Sequence, residues 1–174
     1  GAGGQGGNHC ERFSQLTDLC EVAAVCDVDP KRLAEKADRL PNSDRVARYD
    51  DYRRILDDDS IEAVSIATPD HWHALATIWA CQAGKDVYVE KPLANTFEEC
   101  ELMIAAEKKY GVACQMGNQG HSSESIRLVR EWIQSGSIGD VKEVHAWTDR
   151  PVGGHPWSTF AVKAKSDDRP PVPE

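Results

Sequence analysis

The sequence has no excess of basic charge. Its 20 Lys and Arg residues face 29 Asp and Glu residues, a formal net charge of −9 with a pI near 5.1. Nucleic-acid binders carry a basic footprint, so no nucleic-acid partner is expected. No apolar run approaches the roughly 20 residues that a bilayer-crossing helix needs, so no membrane partner is expected either. The six cysteines, Cys10, Cys20, Cys26, Cys81, Cys100 and Cys114, form no CxxC pair. That argues against zinc knuckles and thioredoxin-type motifs. Several lie at apolar positions of predicted helices or strands, as buried thiols of a reducing compartment do. Internal repeats and low-complexity segments are lacking. Hydrophobic residues at 40% and charged residues at 28% fit a soluble globular chain.

An initiator Met is also lacking, and Gly1 opens directly into a glycine-rich loop. A dinucleotide loop follows a strand, and the tail Arg169-Pro170-Pro171-Val172-Pro173-Glu174 reads as a linker. The chain therefore reads as a fragment truncated at both ends, inactive by itself. Its compartment is read as cytoplasmic. Export stays open, because a signal peptide would precede Gly1.

Short apolar segments alternate with helical ones. Helices are expected over 7–17, from Asp29-Pro30 onward, over 50–56, 70–82 and 96–110, and over 122–134. Strands are expected at 21–26, 45–49, 63–67, 86–89, 112–115 and 141–148. Asp29 with Pro30 is a helix start, and Thr96 with Glu99 a capping box. Gly84 and Gly111 are helix stops. Such alternation means βαβ units and an α/β, doubly wound parallel sheet, whose strands are covered on both faces. After Gly139 polar and apolar residues alternate, as in a sheet with one solvated face. The division is accordingly 1–138 for a dinucleotide-binding domain and 139–174 for the beginning of a substrate domain.

Gly1-Ala2-Gly3-Gly4-Gln5-Gly6 matches G-x-G-x-x-G. Gly1 allows the tight turn, Gly3 a close approach to a pyrophosphate, and Gly6 close packing of helix on strand. Gly4 and Gln5 complete the loop as cofactor-binding candidates, and the N-terminus of the helix that follows attracts phosphate. A flexible glycine-rich terminus would look similar. Asp27 separates the two readings. With the first strand of the sheet missing ahead of Gly1, the strand at 21–26 counts as the second, and Asp27 ends it 21 residues past Gly6, near the spacing of an acid that takes both adenosine-ribose hydroxyls. A carboxylate there repels a 2′-phosphate and favours NAD over NADP. Asp29 offers a second carboxylate, as a plain helix cap or in the same role, and Lys31 and Arg32 keep NADP as the second choice.

Three further loops follow strands, where ligands of open α/β sheets sit. Glu90-Lys91-Pro92 offers a lysine to stabilise a developing alkoxide, with a carboxylate to orient it; a surface Lys91–Glu90 pair is the plain alternative. Thr68-Pro69-Asp70-His71 is a candidate for nicotinamide or ribose contact. His71 and His73, two residues apart, do not share a helix face, so no metal site is expected. Asn118 and Gln119, in Gly117-Asn118-Gln119-Gly120-His121, can hold ribose or substrate, or simply form a turn. Trp147 to Trp157 suits a sugar-facing loop or the core of another domain.

Taken in order, GAGGQG at 1–6, VAAVCDVDP at 22–30, SIATPDHWHA at 65–74, VYVEKPLA at 87–94 and MGNQG at 116–120 resemble the glucose–fructose oxidoreductase/inositol dehydrogenase (Gfo/Idh/MocA) family. The resemblance covers nearly the whole chain. It implies a Rossmann domain followed by a larger α+β domain, with Lys91 catalytic or substrate-orienting. It places a further Asp and His beyond Glu174, so no general base is named here. The expected activity is NAD-dependent hydride transfer to or from a sugar, cyclitol or related polyol. The alternatives are an NAD-dependent glycosidase that oxidises its sugar transiently and a non-catalytic dinucleotide-binding protein. The partner is a small-molecule sugar or polyol, and the full-length protein is expected to be a homo-oligomer.

Overall fold

Backbone groups that side chains claim early decide where the elements begin. The computed structural model describes residues 1–145. The helices are α1 (Gly4–Phe13), α2 (Pro30–Asp38), α3 (Arg53–Leu56), α4 (His73–Gln82), α5 (Phe97–Tyr110) and α6 (Glu124–Gln134). The strands are β1 (Ala24–Cys26), β2 (Ala47–Tyr49), β3 (Ala63–Ile66), β4 (Asp86–Glu90) and β5 (Cys114–Gly117).

The caps lie where the sequence signals put them. Asp29 accepts the Lys31 and Arg32 N–H groups ahead of α2. Thr96 accepts the Glu99 N–H while the Glu99 carboxylate accepts the Thr96 N–H, a closed capping box on α5. Gly111 ends α5 at φ 68°, the left-handed region that favours glycine.

Several boundaries shift from the sequence expectation. The strand expected from Val112 starts at Cys114, because the Ala113 and Cys114 N–H groups go to the Asp86 and Glu107 carboxylates. The strand expected from Glu21 starts at Ala24, after Asn42 takes the Val22 carbonyl. The one expected from Arg45 starts at Ala47, since Arg45 and Val46 both donate to the Asn42 carbonyl in a turn. The first turn of the helix expected from Asp70 is a separate 3-10 turn, Asp70–Trp72. The strand expected over 141–148 does not form at 141–145, and its remaining residues lie outside the described ones, as does the Trp147–Trp157 stretch.

Every strand pairing is parallel. One sheet is β1–β2; the other has the order β3–β4–β5. The strands expected to be covered on both faces are not uniformly so. In β3, Val64 and Ile66 are buried while Ala63 and Ser65 are exposed. The main core joins Val64, Ile66, Val87 and Val89 of the sheet to Ala76, Ala80, Cys81, Met103 and Ala106 of α4 and α5. A smaller one gathers Ala2, Val25, Leu33, Ala37, Leu40 and Val46 around β1 and α2. Gly1–Ser123 is one compact unit, and it holds every candidate site residue. α6 belongs to a second unit, and its Ile126, Val129 and Ile133 recur at amphipathic spacing.

Lys85 precedes β4 and is 3% exposed, yet its ammonium is not orphaned. Nζ donates to the Asp58 and Ile61 carbonyls, each at 2.7 Å. It thereby closes the loop between α3 and β3. Lys85→Met keeps the apolar stem and strands both carbonyls. The expected cost is about 1–3 kcal/mol, read as a lower urea midpoint at unchanged slope.

Candidate cofactor and active site

The candidate residues converge on the carboxyl edge of the strands. Gly3 caps α1 with extended backbone and no side-chain cap bond, so the helix start is left to another acceptor. A Cβ on Gly6 would overlap the Gly1 carbonyl oxygen, and one on Gly1 would lie 2.9 Å from the Ala67 carbonyl oxygen. Both positions therefore require glycine. Nothing stands within 4 Å of a Cβ built on Gly4, so this side of the loop is open. Loop and helix end together form a cradle of N–H groups that suits a pyrophosphate.

Asp27 follows β1 and is 5% exposed. Its Oδ2 accepts the Ala2 N–H at 2.7 Å, and its Oδ1 accepts the Asp29 N–H at 2.9 Å. The glycine loop is thus tied to the end of β1. A carboxylate offers about four acceptor positions, so these two bonds leave room for hydroxyl donors. Arg32 Nη1 lies 3.9 Å from Oδ2, and the Arg32 side chain runs beside Gly3. Asp29 is the helix cap, with its oxygen engaged by α2.

Beyond β3 and β4 lies a cleft of about 460 Å³ lined by Gln5, Thr68, Asp70, Glu90, Lys91 and Gln119, among others. Thr68 lines this cleft, and its Oγ1 is buried with no hydrogen-bond partner among the described residues. A buried hydroxyl left unpaired is costly, and a polar ligand in the cleft would satisfy it. The open glycine cradle and this hydroxyl are two independent signs that the residues present fit a dinucleotide.

Glu90 ends β4 with its carboxylate turned inward. Oε1 accepts from Gln5 Nε2 at 3.2 Å, His9 Nε2 at 3.0 Å and the Gln119 amide; Oε2 accepts the Lys91 N–H at 3.2 Å. Burial pushes the Glu90 carboxyl up. The Gln119 and Gln5 amides, the Lys91 N–H and His9 outweigh that push and hold it below the usual carboxylate range. Lys91 itself is exposed at the rim. Glu90 therefore meets the Lys91 backbone, in place of the side-chain pairing weighed from sequence.

His73, considered from sequence only as half of a metal pair, is 1% exposed at the start of α4. Its Nδ1 lies 2.7 Å from the Pro92 carbonyl and its Nε2 3.0 Å from the Thr68 carbonyl. Both partners are carbonyls, which only accept, so a neutral imidazole donates to one of the two rim loops and packs against the other. His71 points away from this role: its side chain is 60% exposed and lies near the Asp70 carboxylate. Pro69 precedes the 3-10 turn and is exposed. Asn118 is exposed and caps the 3-10 turn Gln119–Ser122, so only Gln119 of the amide pair lines the cleft. Among the described residues there is no cluster of three metal-ligating side chains. The sequence reading missed His9 and His73; for His9 the signal was its place one helical turn after Gln5.

Known proteins resemble this chain in sequence and fold. The oxidoreductase family with an NAD-binding Rossmann fold, Gfo/Idh/MocA, matches residues 1–118. Inositol 2-dehydrogenase of Salmonella paratyphi B is 32% identical over 146 residues, covering 83% of this chain and 43% of that protein. A glycosyl hydrolase family 109 protein of Shewanella sp. strain MR-4 is 32% identical over 148 residues, covering 81% of this chain and 32% of that protein. The WlbA dehydrogenase of Bordetella pertussis, solved with NADH and UDP-GlcNAcA, superposes with a TM-score of 0.73 at 27% identity. That match covers 80% of this chain and 42% of the other. The chain spans less than half the length of each of these relatives. With 118 residues matched in one family and a Rossmann-type arrangement of its strands, the chain belongs to the Gfo/Idh/MocA oxidoreductases.

Proposed function

We propose that residues 1–138 are the cofactor domain of an NAD-dependent enzyme, that 139–174 open its substrate domain, and that the enzyme moves a hydride between a sugar, cyclitol or related polyol and nicotinamide. One observation carries this reading. A phosphate cradle, a buried ribose-type acid and a lysine-bearing strand end lie at the carboxyl ends of parallel strands, near a Thr68 hydroxyl unpaired among the described residues.

Each group has a role on this reading. The Gly4, Gln5 and Gly6 N–H groups face the pyrophosphate. Asp27 accepts the adenosine-ribose hydroxyls and disfavours a 2′-phosphate, which would sit against its charge. Thr68 and Gln119 offer hydrogen bonds to the nicotinamide end. When bound, NAD supplies the hydride acceptor. The exposed Lys91 donates from its ammonium to the substrate oxygen and stabilises negative charge as the alcohol loses its proton. Among the described residues none is assigned as the base. Intact Glu90-Lys91-Pro92 speaks against a merely cofactor-binding protein. The Shewanella relatives favour one second reading, a glycosidase in which the same hydride step is transient. Incubating the full-length protein with NAD and aryl glycosides separates the two. Release of the phenol without net NADH favours the glycosidase, whereas NADH accumulating with a free polyol favours the dehydrogenase.

Two substitutions in the full-length protein test the assigned roles. Asp27→Ser should weaken NAD and shift preference toward NADP, partly by loosening the Ala2 anchor. The ratio of kcat/KM for the two cofactors measures this, and an unchanged ratio removes Asp27 from the role. Lys91→Ala should lower turnover by about 10²–10⁴-fold, the usual scale for one positioned acid or charge stabiliser. Its NAD affinity, measured by calorimetry, should stay near that of the unaltered protein. Near-normal turnover in this variant contradicts the role.

A further inference from the structure

His9 lies one turn after Gln5 on α1, on the same helix face. Its Nε2 is 3.0 Å from Glu90 Oε1 and its Nδ1 2.8 Å from Ser65 Oγ on β3. His9 and Glu90 are 6% and 5% exposed, so bulk water does not screen the contact. Phe13 and Tyr88 meet the imidazole edge to face, with centroids 6.0 and 5.4 Å away. An ionised carboxylate only accepts, so His9 Nε2 carries a hydrogen and donates it. In the neutral ring Nδ1 then accepts from the Ser65 hydroxyl. Gln5 Nε2, 3.4 Å from His9 Nε2, is a second donor aimed at the same carboxylate. Ser65 does not line the cleft, so this chain of groups is not a nucleophile assembly.

We propose that His9 is a positioning residue for the reaction site. By holding the Glu90 carboxylate, it fixes the Glu90–Lys91 peptide and with it the point from which the Lys91 side chain departs at the cleft rim. The geometry runs without a gap. His9 engages Oε1, and Oε2 of the same rigid carboxylate accepts the Lys91 N–H at 3.2 Å. The pair also ties α1, whose start forms the phosphate cradle, to the strand end that carries the lysine. This inference rests on the reading of Lys91 as the oxygen-stabilising group. His9 itself lies outside the cleft lining and acts only through Glu90.

Amide hydrogen exchange in the full-length protein tests it. The reference is Val87 on the same strand, whose N–H donates to the Ala113 carbonyl at 2.8 Å. His9→Ala should speed exchange at Lys91 relative to Val87 by about tenfold, the scale of one lost charge-assisted hydrogen bond. His9→Gln places an amide donor at similar reach and should restore most of the protection. Equal acceleration at both amides, or no rescue by glutamine, overturns the proposal and leaves His9 a packing residue. Should His9→Ala not fold, the fallback is His9→Phe, which keeps a ring against Phe13 and Tyr88 and removes the donor. The Lys91-to-Val87 ratio should then rise, and an unchanged ratio overturns the proposal. NAD titrated into the unaltered protein by calorimetry reports separately on the dinucleotide reading. Absence of binding would sink that reading while the exchange ratio still decides whether His9 holds the peptide.

Discussion

The site depends on one buried carboxylate. Removing an ion from water costs on the order of several kcal/mol unless protein dipoles replace the lost hydration. Glu90 receives that replacement from four donors on three parts of the chain: Gln5 and His9 on α1, Gln119 after β5, and its own strand end. The donors are in turn held in place by the charge they solvate. The start of α1, the end of β4 and the loop after β5 therefore take up one arrangement, and the cleft lies within it.

A second constraint is steric. Gly1 to Gly3 pass between the ends of β1 and β3, touching Asp27 on one side and the Ala67 backbone on the other. Any side chain at Gly6 would collide with the Gly1 carbonyl. The loop is thus compact because two strand ends and one helix crowd it. Parallel strands send all their carboxyl ends to one edge, so the loops after β1, β3, β4 and β5 share that edge whatever their sequences. His73 is buried between the Thr68 and Pro92 carbonyls and donates to one of them.

Much of this was legible from local patterns. Asp29-Pro30, Thr96 with Glu99 and Gly111 act through neighbours a few residues away, and each lies where the pattern put it. The glycine motif, Asp27 and Lys91 were singled out by residue type and spacing, and the structure brings them to the carboxyl ends of the strands. Strand starts were not, because Asp86 and Asn42 take backbone groups from positions 27 and 20 residues away. His9 was missed for a related reason. Its partners, Glu90 and Ser65, are 81 and 56 residues away, and only folding brings them together. Glu90 looked like a partner for the Lys91 ammonium, whereas the inward donors outnumber that single neighbour. His71 and His73 show the converse: two similar residues in one motif end up at the surface and in the core.

The central claim is that NAD lies along this one edge. Backbone amide shifts of the protein, followed while NAD is added, test it most directly. The account predicts the largest shifts at Gly4, Gln5 and Gly6, with further shifts at Asp27, Thr68 and Lys91, and none at Asp59 and Lys85 at the opposite edge of the strands. An undisturbed glycine loop at saturating NAD, or shifts concentrated at that opposite edge, would contradict it.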